Sequence, residues 1–173
     1  MSNTLALNAQ IIRNKALTVT AAVAAALVLP QLFHFAGMVS GLGAAPGAAF
    51  LPMQIPVFLA GFLAGPIAGI AVGILSPLIS HALAGMPSSA LLPYMIIELA
   101  GYGLIAGLLC NVKMPFIMKL IIAQIAGRVF RAAVLMSFPA IWEITLAGVP
   151  GILLQWAFIP LIMYRLEGLK QKL

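Results

Sequence analysis

Two arginines inside a long apolar run are the residues of this sequence with the clearest capacity for chemistry. Arg128 and Arg131 lie within 116–138, and with Gln124 they are spaced by four and three residues, so all three share one helical face. Near the centre of a membrane helix each arginine costs about 2.5–3.5 kcal/mol, so both are expected to face the interior of a bundle. There their guanidinium groups can bind an electronegative group of a small molecule.

A second polar face offers the opposite charge. Tyr94, Glu98 and Tyr102 are separated by steps of four within 91–109, so they also share one side of a helix. Charges of both signs, lined by tyrosines, are suited to holding a small polar organic molecule. The alternative is that Glu98 and the arginines neutralise one another as structural ion pairs.

Five more polar residues stand at segment ends or on faces of small residues. Gln54 begins one apolar segment, His34 and His81 end two others, Glu143 begins the last, and Gln155 follows two glycines on one face of it. Hydrogen bonding at the membrane interface is the alternative role for the histidines. The predicted substrate-binding residues are Arg128, Arg131, Glu98, Tyr94, Tyr102, Gln54, Gln155, His34, His81 and Glu143.

The motifs of catalysis and of metal binding are missing from the sequence. It contains no aspartate and one cysteine, Cys110, which excludes an internal disulfide and a multi-cysteine metal site. Neither a Ser/His/acid set nor a Walker-type glycine loop with lysine is present. We therefore predict a protein that is not an enzyme and has no metal or cofactor; any ATP hydrolysis would belong to another chain.

Composition fixes the class of protein that must position these residues. Of the 173 residues, 64% are hydrophobic and 7% are charged, with a mean hydropathy of +1.17, which is too little polar surface for a water-soluble globule. The prediction is an all-α, multi-pass protein of the cell membrane. Its net charge of +6 does not indicate nucleic-acid binding, because the basic residues lie at segment ends or singly within apolar runs.

Six apolar segments are predicted to cross the bilayer. The first has 20 residues, about 30 Å of helix, and exceeds the ~7–15-residue core of a cleaved signal peptide, which is its alternative. Residues 1–15 form a cytosolic lead-in, 16–165 the transmembrane substrate-binding domain and 166–173 a cytosolic tail. The predicted segments are 16–35, 52–64, 67–83, 91–109, 116–138 and a last one that begins at 143 or 145 and ends at 164.

The second and third segments form a hairpin around which the others are expected to pack. Gly65-Pro66 marks its turn, because glycine suits a helix stop and proline a helix start. Small residues at a four-residue step allow close backbone approach in lipid, and here they are Gly61, Gly65, Gly69 and Gly73. The uncharged, Gly- and Ala-rich stretch 37–49 is predicted to be a loop able to fold over a site as a lid.

Charge asymmetry predicts the orientation of the six segments. The loops 37–49, 85–90 and 139–142 contain no Lys or Arg, so the positive-inside rule places both termini in the cytoplasm and most of the polar site residues in the outer half. The basic residues on the other side are Arg13, Lys15, Lys113, Lys119, Arg165, Lys170 and Lys172.

Three stretches of this sequence resemble the substrate-binding S components of energy-coupling factor (ECF) transporters. They are VLPQLFHFAG (28–37), LPMQIPVFLAGFLAGPIAGIAVGILSPLISHALAGMP (51–87) and PYMIIELAGYGLIAGLL (93–109), and the resemblance extends over about 16–165. It implies a six-helix protein that binds a vitamin or vitamin precursor from outside, such as a pyrimidine, a pyridine or a carboxylate-bearing vitamin. It also implies partners: a membrane T component, two cytosolic ATPases, and the bilayer in which the protein topples to release its cargo.

Alanines of the first segment are the predicted contact with the T component. The resemblance implies an A-x-x-x-A pattern, which Ala21 with Ala25, or Ala22 with Ala26, would satisfy. The run 21–26 is small on every helical face, although packing within the bundle requires small residues on one face alone. Ordinary packing inside the bundle is the alternative.

Two other classes of function remain open from the residues. A stand-alone secondary transporter or channel would use Glu98 as its proton or cation site, and an internal repeat between the two halves, its expected mark, is not evident. A membrane enzyme acting on lipid would need an acidic cluster at mid-depth or on the cytosolic side, where the polar residues do not lie.

Overall fold

The computed structural model of the chain describes residues 2–43, 45–135, 146 and 148–170, and throughout these residues the only regular structure is α-helix. This confirms the all-α class. The helices are α1 (Ser2–Val39), α2 (Ala45–Phe50), α3 (Gln54–Ala64), α4 (Pro66–Ala84), α5 (Leu92–Leu109), α6 (Phe116–Leu135) and α7 (Val149–Lys170).

Four of the described helices are long and apolar enough to cross a membrane, namely α1, α4, α5 and α7. Helix α3 is apolar but has 11 residues. Helix α6 has 20 residues, but Lys119, Arg128 and Arg131 lower its hydropathy. The chain is therefore a membrane protein, while six spans and cytoplasmic termini stay predictions.

The predicted loop at 37–49 is wrong at both ends. Helix α1 continues to Val39, and Gly41, with a φ of 74°, ends it. There the N–H of Leu42 donates to the carbonyl of Gly37 at 2.9 Å, which is the bond pattern of a Schellman cap. Residues Ala45–Phe50 then form α2, with proline in the first turn. Gly37, where the predicted loop begins, lies within the helix and allows the backbone at Gly43 to approach, because a Cβ at Gly37 would overlap the Gly43 carbonyl oxygen.

Helix boundaries elsewhere differ less from the predictions. Helix α1 begins at Ser2, so it passes without a break through the predicted border between lead-in and membrane domain at 15/16. Helix α7 likewise continues to Lys170, beyond the predicted end at 164. The end of the fifth predicted segment and the start of the sixth lie outside the described residues.

The hairpin turn at Gly65-Pro66 is confirmed. Helix α3 ends at Ala64, α4 begins at Pro66, and Gly65 has a φ of 91° that suits glycine. The predicted close approach is confirmed for Gly69 and Gly73, where a Cβ would overlap the α5 backbone at Gly103 and Leu99 respectively. Gly65 makes no such close approach, because a Cβ there would meet no other atom within 4 Å. Its role is to form the turn.

The core lies where α3, α4 and α5 meet, with α1, α6 and α7 around them. Val57 and Phe58 of α3 are fully buried, and the Phe58 ring lies 5.0 Å from that of Tyr102 on α5. Helix α1 packs on α3 and α4, and α6 packs on α5, while α7 contacts α2, α3 and α6. This arrangement brings the second half of α1, the start of α3, the end of α4, the first half of α5 and the second half of α6 to one end of the bundle.

Candidate functional site

A cavity of about 550 Å³ lies at that end of the bundle. Its size is within the ~300–1,000 Å³ usual for sites that bind small molecules. Helices α1, α2, α3, α4, α5 and α6 and the links between them contribute to its wall. The lining residues are Pro30, Gln31, His34, Gly47, Leu51, Pro52, Met53, Gln54, Ser80, Met86, Pro87, Ser88, Leu91, Met95, Glu98, Leu99, Arg128 and Arg131.

Five of the ten predicted site residues line this cavity. They are His34 of α1, Gln54 of α3, Glu98 of α5, and Arg128 and Arg131 of α6. These residues are separated by up to 97 positions in the sequence, from 34 to 131. The fold thus brings both charged faces predicted from helical spacing to the same wall.

Glu98 is held by two neighbours, one on each carboxylate oxygen. The hydroxyl of Tyr102 donates to Oε1 at 2.5 Å, and the guanidinium Nη1 of Arg131 donates to Oε2 at 2.6 Å. Tyr102 is fully buried and does not line the cavity. The ion pair that the sequence left as an alternative is therefore present, and Glu98 sets the direction of Arg131. Among the described residues the Nε of Arg131 is buried without a partner.

Arg128 has a different environment from Arg131. Its Nη1 donates to the backbone carbonyl of Gln124 at 3.3 Å, and its guanidinium carbon lies 5.9 Å from the centre of the Tyr102 ring. No carboxylate in the described part of the chain pairs with it. Arg128 consequently brings a positive charge to the cavity wall that Glu98, already bonded to Arg131, does not neutralise.

A network of side-chain hydrogen bonds joins α6 and α7 to Gln54 of α3, which lines the cavity. The indole N–H of Trp156 donates to Gln124 Oε1 at 2.8 Å, and Gln124 Nε2 donates to Gln155 Oε1 at 2.8 Å. Gln155 Nε2 then donates to Gln54 Oε1 at 3.1 Å. Gln155 is fully buried and does not line the cavity. The amide N–H₂ of Gln54 supplies the hydrogen-bond donors that this residue can offer to a ligand.

The remaining predicted site residues are placed in other ways. His81 does not line the cavity; its Nδ1 lies 2.7 Å from the carbonyl oxygen of Pro87, so it braces the link that does. Tyr94 is half-buried and also lies outside the lining. Glu143 lies outside the described residues.

His34 owes its position to the glycine of α2. A Cβ at Gly47 would lie 2.8 Å from Cε1 of the His34 imidazole. The absence of a side chain there lets α2 cover the ring closely, and the stretch predicted to act as a lid thus contributes one residue of the lining.

Several lining residues were not singled out from the sequence. Gln31 had a signal, because it precedes His34 by three residues and so lies on the same face of α1. Met53, Met86 and Met95 had none, since methionine is an ordinary residue of apolar segments.

The two alanine pairs of α1 are in different environments. Ala22 and Ala26 are 9% and 0% exposed and belong to the core. Ala21 is exposed and Ala25 is partly exposed. Packing within the bundle therefore accounts for one pair and leaves the other on the outer surface of α1.

No group of three or more His, Cys, Asp or Glu side chains able to hold a metal occurs within the described ranges. Cys110 is a free thiol in the link between α5 and α6.

A charged, ligand-sized cavity at one end of a helical membrane protein is suited to holding a small polar molecule. The family model described as "ECF transporter, substrate-specific component" matches residues 15–166, and the chain belongs to this family. Its members are substrate-binding subunits of transporters and not enzymes. No curated protein and no solved structure matches the chain.

Proposed function

We propose that this protein captures a vitamin or vitamin precursor at the outer face of the cell membrane and passes it inward as part of an ECF transporter. The observation that carries the proposal is the cavity wall formed by Arg128 and the Glu98–Arg131 pair. An arginine without a carboxylate partner among the described residues is costly inside a membrane unless a ligand or water receives it. A binding site gives this charge a function.

The distribution of basic residues supports the outward orientation. Arg13 and Lys15 lie in the first half of α1, whereas the cavity residues of α1 begin at Pro30. Helix α6 likewise begins near Lys119 and reaches the cavity with Arg128. With the basic ends in the cytoplasm, the cavity opens outward and the chain has six spans with both termini inside.

Transport by this subunit requires partner chains. Its family is that of the substrate-specific component of a larger transporter, and the sequence contains no Walker-type loop of its own. We infer that a membrane T component and two cytosolic ATPases complete the importer.

Two measurements test this function. Native mass spectrometry of the protein purified from cells should show a bound small molecule, and right-side-out membrane vesicles should bind that molecule from outside. Co-reconstitution with a T component and ATPases should then give uptake that depends on ATP. The proposal is wrong if no small molecule binds, or if the isolated chain transports it without partners.

The secondary-transporter alternative would need Glu98 to exchange protons or cations. Both oxygens of its carboxylate accept hydrogen bonds, from Tyr102 and Arg131. This arrangement favours Glu98 as a fixed partner of an arginine over an exchanging site.

A further inference from the structure

We infer that the ligand of this cavity carries a single negative charge, in the form of one carboxylate. The inference specifies the substrate class of the proposed function and therefore rests on it. The charged side chains among the described lining residues are Glu98, Arg128 and Arg131. One carboxylate and two guanidinium groups leave a formal net charge of +1.

The excess charge can be located at one residue. Nη1 of Arg131 lies 2.6 Å from Oε2 of Glu98, so the charges of these two side chains neutralise each other. Arg128 has the Gln124 carbonyl and the face of the Tyr102 ring near it, and both are uncharged. Within the described part of the chain no anion compensates this guanidinium.

An anionic ligand balances the excess positive charge of the described lining residues. A charge withdrawn from water without a partner is strongly unfavourable, and a paired one much less so. The guanidinium of an arginine also presents its donors in a planar fork that fits two carboxylate oxygens.

The size of the excess positive charge favours a carboxylate over a phosphate monoester as the group that is bound. A carboxylate brings one negative charge and balances the charges of the described lining residues. A phosphate monoester carries about −1.5 to −2 at neutral pH and would leave an excess of negative charge beside the one cation that has no carboxylate partner among those residues. The described residues therefore match a monoanion.

The uncharged lining residues indicate the chemical character of the rest of the ligand. Met53, Met86 and Met95, with Leu91 and Leu99, contribute apolar surface to the lining of the same cavity. The amides of Gln31 and Gln54 are polar but uncharged, and they suit neutral hydrogen-bonding groups. The substrate class is thus a small monocarboxylate with an uncharged, partly apolar body.

A charge-fractionated extract tests this inference before the ligand is identified. Small molecules of yeast extract are separated at pH 7 on an anion exchanger into unbound, low-salt and high-salt portions, and each is added to the purified full-length protein. Thermal unfolding should be shifted upward by the low-salt portion, which contains the monoanions. Mass spectrometry then identifies the retained compound as a carboxylic acid.

The other outcomes separate this inference from the proposed function. Stabilisation by the unbound portion would mean a neutral or cationic ligand, and stabilisation by the high-salt portion alone a multiply charged one. Either result overturns the inference that the ligand is a monocarboxylate, while the proposed function as a substrate-binding subunit still holds. Stabilisation by none of the portions overturns the proposed function as well.

Variants of Arg128 confirm that the charge acts at this residue. Arg128→Gln should weaken binding of the identified acid tenfold or more, and Arg128→Lys, which keeps the charge and loses the fork, should weaken it less. Arg165→Gln is the matched control, because Arg165 is exposed near the far end of α7, and it should bind as wild type does. If Arg128→Gln does not fold, Arg128→Lys is used in its place, and its affinities for the acid and for the neutral amide of that acid are measured. The inference is overturned if this lysine variant binds both compounds as tightly as the wild-type protein binds the acid.

Discussion

Glu98 and Tyr102 lie on one face of α5 and are joined by a hydrogen bond, yet Glu98 lines the cavity and Tyr102 does not. The carboxylate accepts from Tyr102 on one oxygen and from Arg131 on the other, so both oxygens are engaged and the orientation of the carboxylate is fixed. Both residues were predicted to bind substrate from their spacing on one helical face. Spacing identifies the face of α5 that the two residues share. Which of them reaches the cavity depends on how closely α5 packs against α6, and the sequence alone does not give that packing.

We predict that Glu98→Gln weakens ligand binding by about tenfold, or about 1.4 kcal/mol, because Arg131 loses the anion that orients it. Isothermal titration with the identified ligand measures the change. If Glu98 acts through Arg131, the double variant Glu98→Gln/Arg131→Gln should bind no more weakly than Arg131→Gln alone. Wild-type affinity of Glu98→Gln with a lowered melting temperature would make the pair purely structural.

Tyr102→Phe provides the matched comparison in this cluster. It keeps the ion pair and the ring beside Phe58 but removes one hydrogen bond to a charged oxygen, which contributes about 1.5–3 kcal/mol. We therefore expect a lower melting temperature with a smaller loss of affinity than Glu98→Gln causes.

Gln155 is predicted to act through Gln54. Gln155→Leu removes the donor to Gln54 Oε1, so the Gln54 amide can rotate and its N–H₂ group is no longer fixed toward the cavity. Affinity should fall severalfold in the same titration. Trp156→Phe breaks the link farthest from the cavity and should have the smaller effect. Equal effects of the two variants would contradict a directed chain of amides.

At the scale of elements, local signals predicted most of what positions the site. Gly65-Pro66 specified the hairpin turn because both residues have strong backbone preferences. The end of α1 was misplaced because Gly37 and Gly41 are both plausible stops in sequence. The contact of Gly37 with the Gly43 backbone decides between them, and that contact exists after the chain has folded back.

The close packing of α4 on α5 gives a prediction about stability. A Cβ at Gly69 would overlap the Gly103 carbonyl, so Gly69→Val should force the helices apart and lower stability by about 1–3 kcal/mol or more. Thermal unfolding in detergent measures the loss. Ala82→Val adds volume to an exposed position of the same helix and is the control. Equal melting temperatures of the two variants would show that the interface is loose.

At the scale of the whole molecule, ligand and partner have separate places. The cavity lies at the end formed by Pro30 and His34 of α1, while the alanine run at 21–26 lies earlier on the same helix. The sequence predicted both regions. It could not tell which alanines are internal, because every face of the run is small.

The structure turns the alanine prediction into a comparison between two faces. Ala22 and Ala26 are in the core, so Ala22→Trp or Ala26→Trp should lower stability and, through it, ligand binding. Ala21→Trp and Ala25→Trp add a ring on the outer side of α1, and the folded protein with its cavity should persist.

In the proposed transporter, helices of the T component approach this outer side, and such contacts in lipid depend on small residues that let backbones come close. Ala21→Trp and Ala25→Trp should therefore abolish co-purification with a T component and ATP-dependent uptake, while the isolated protein binds its ligand with wild-type affinity. Leu17→Trp, also exposed on α1 but one turn before Ala21, is the control for a bulky ring in lipid. Assembly that tolerates tryptophan at both Ala21 and Ala25 would place the partner on another helix, because a contact that needs close approach cannot accommodate an indole ring.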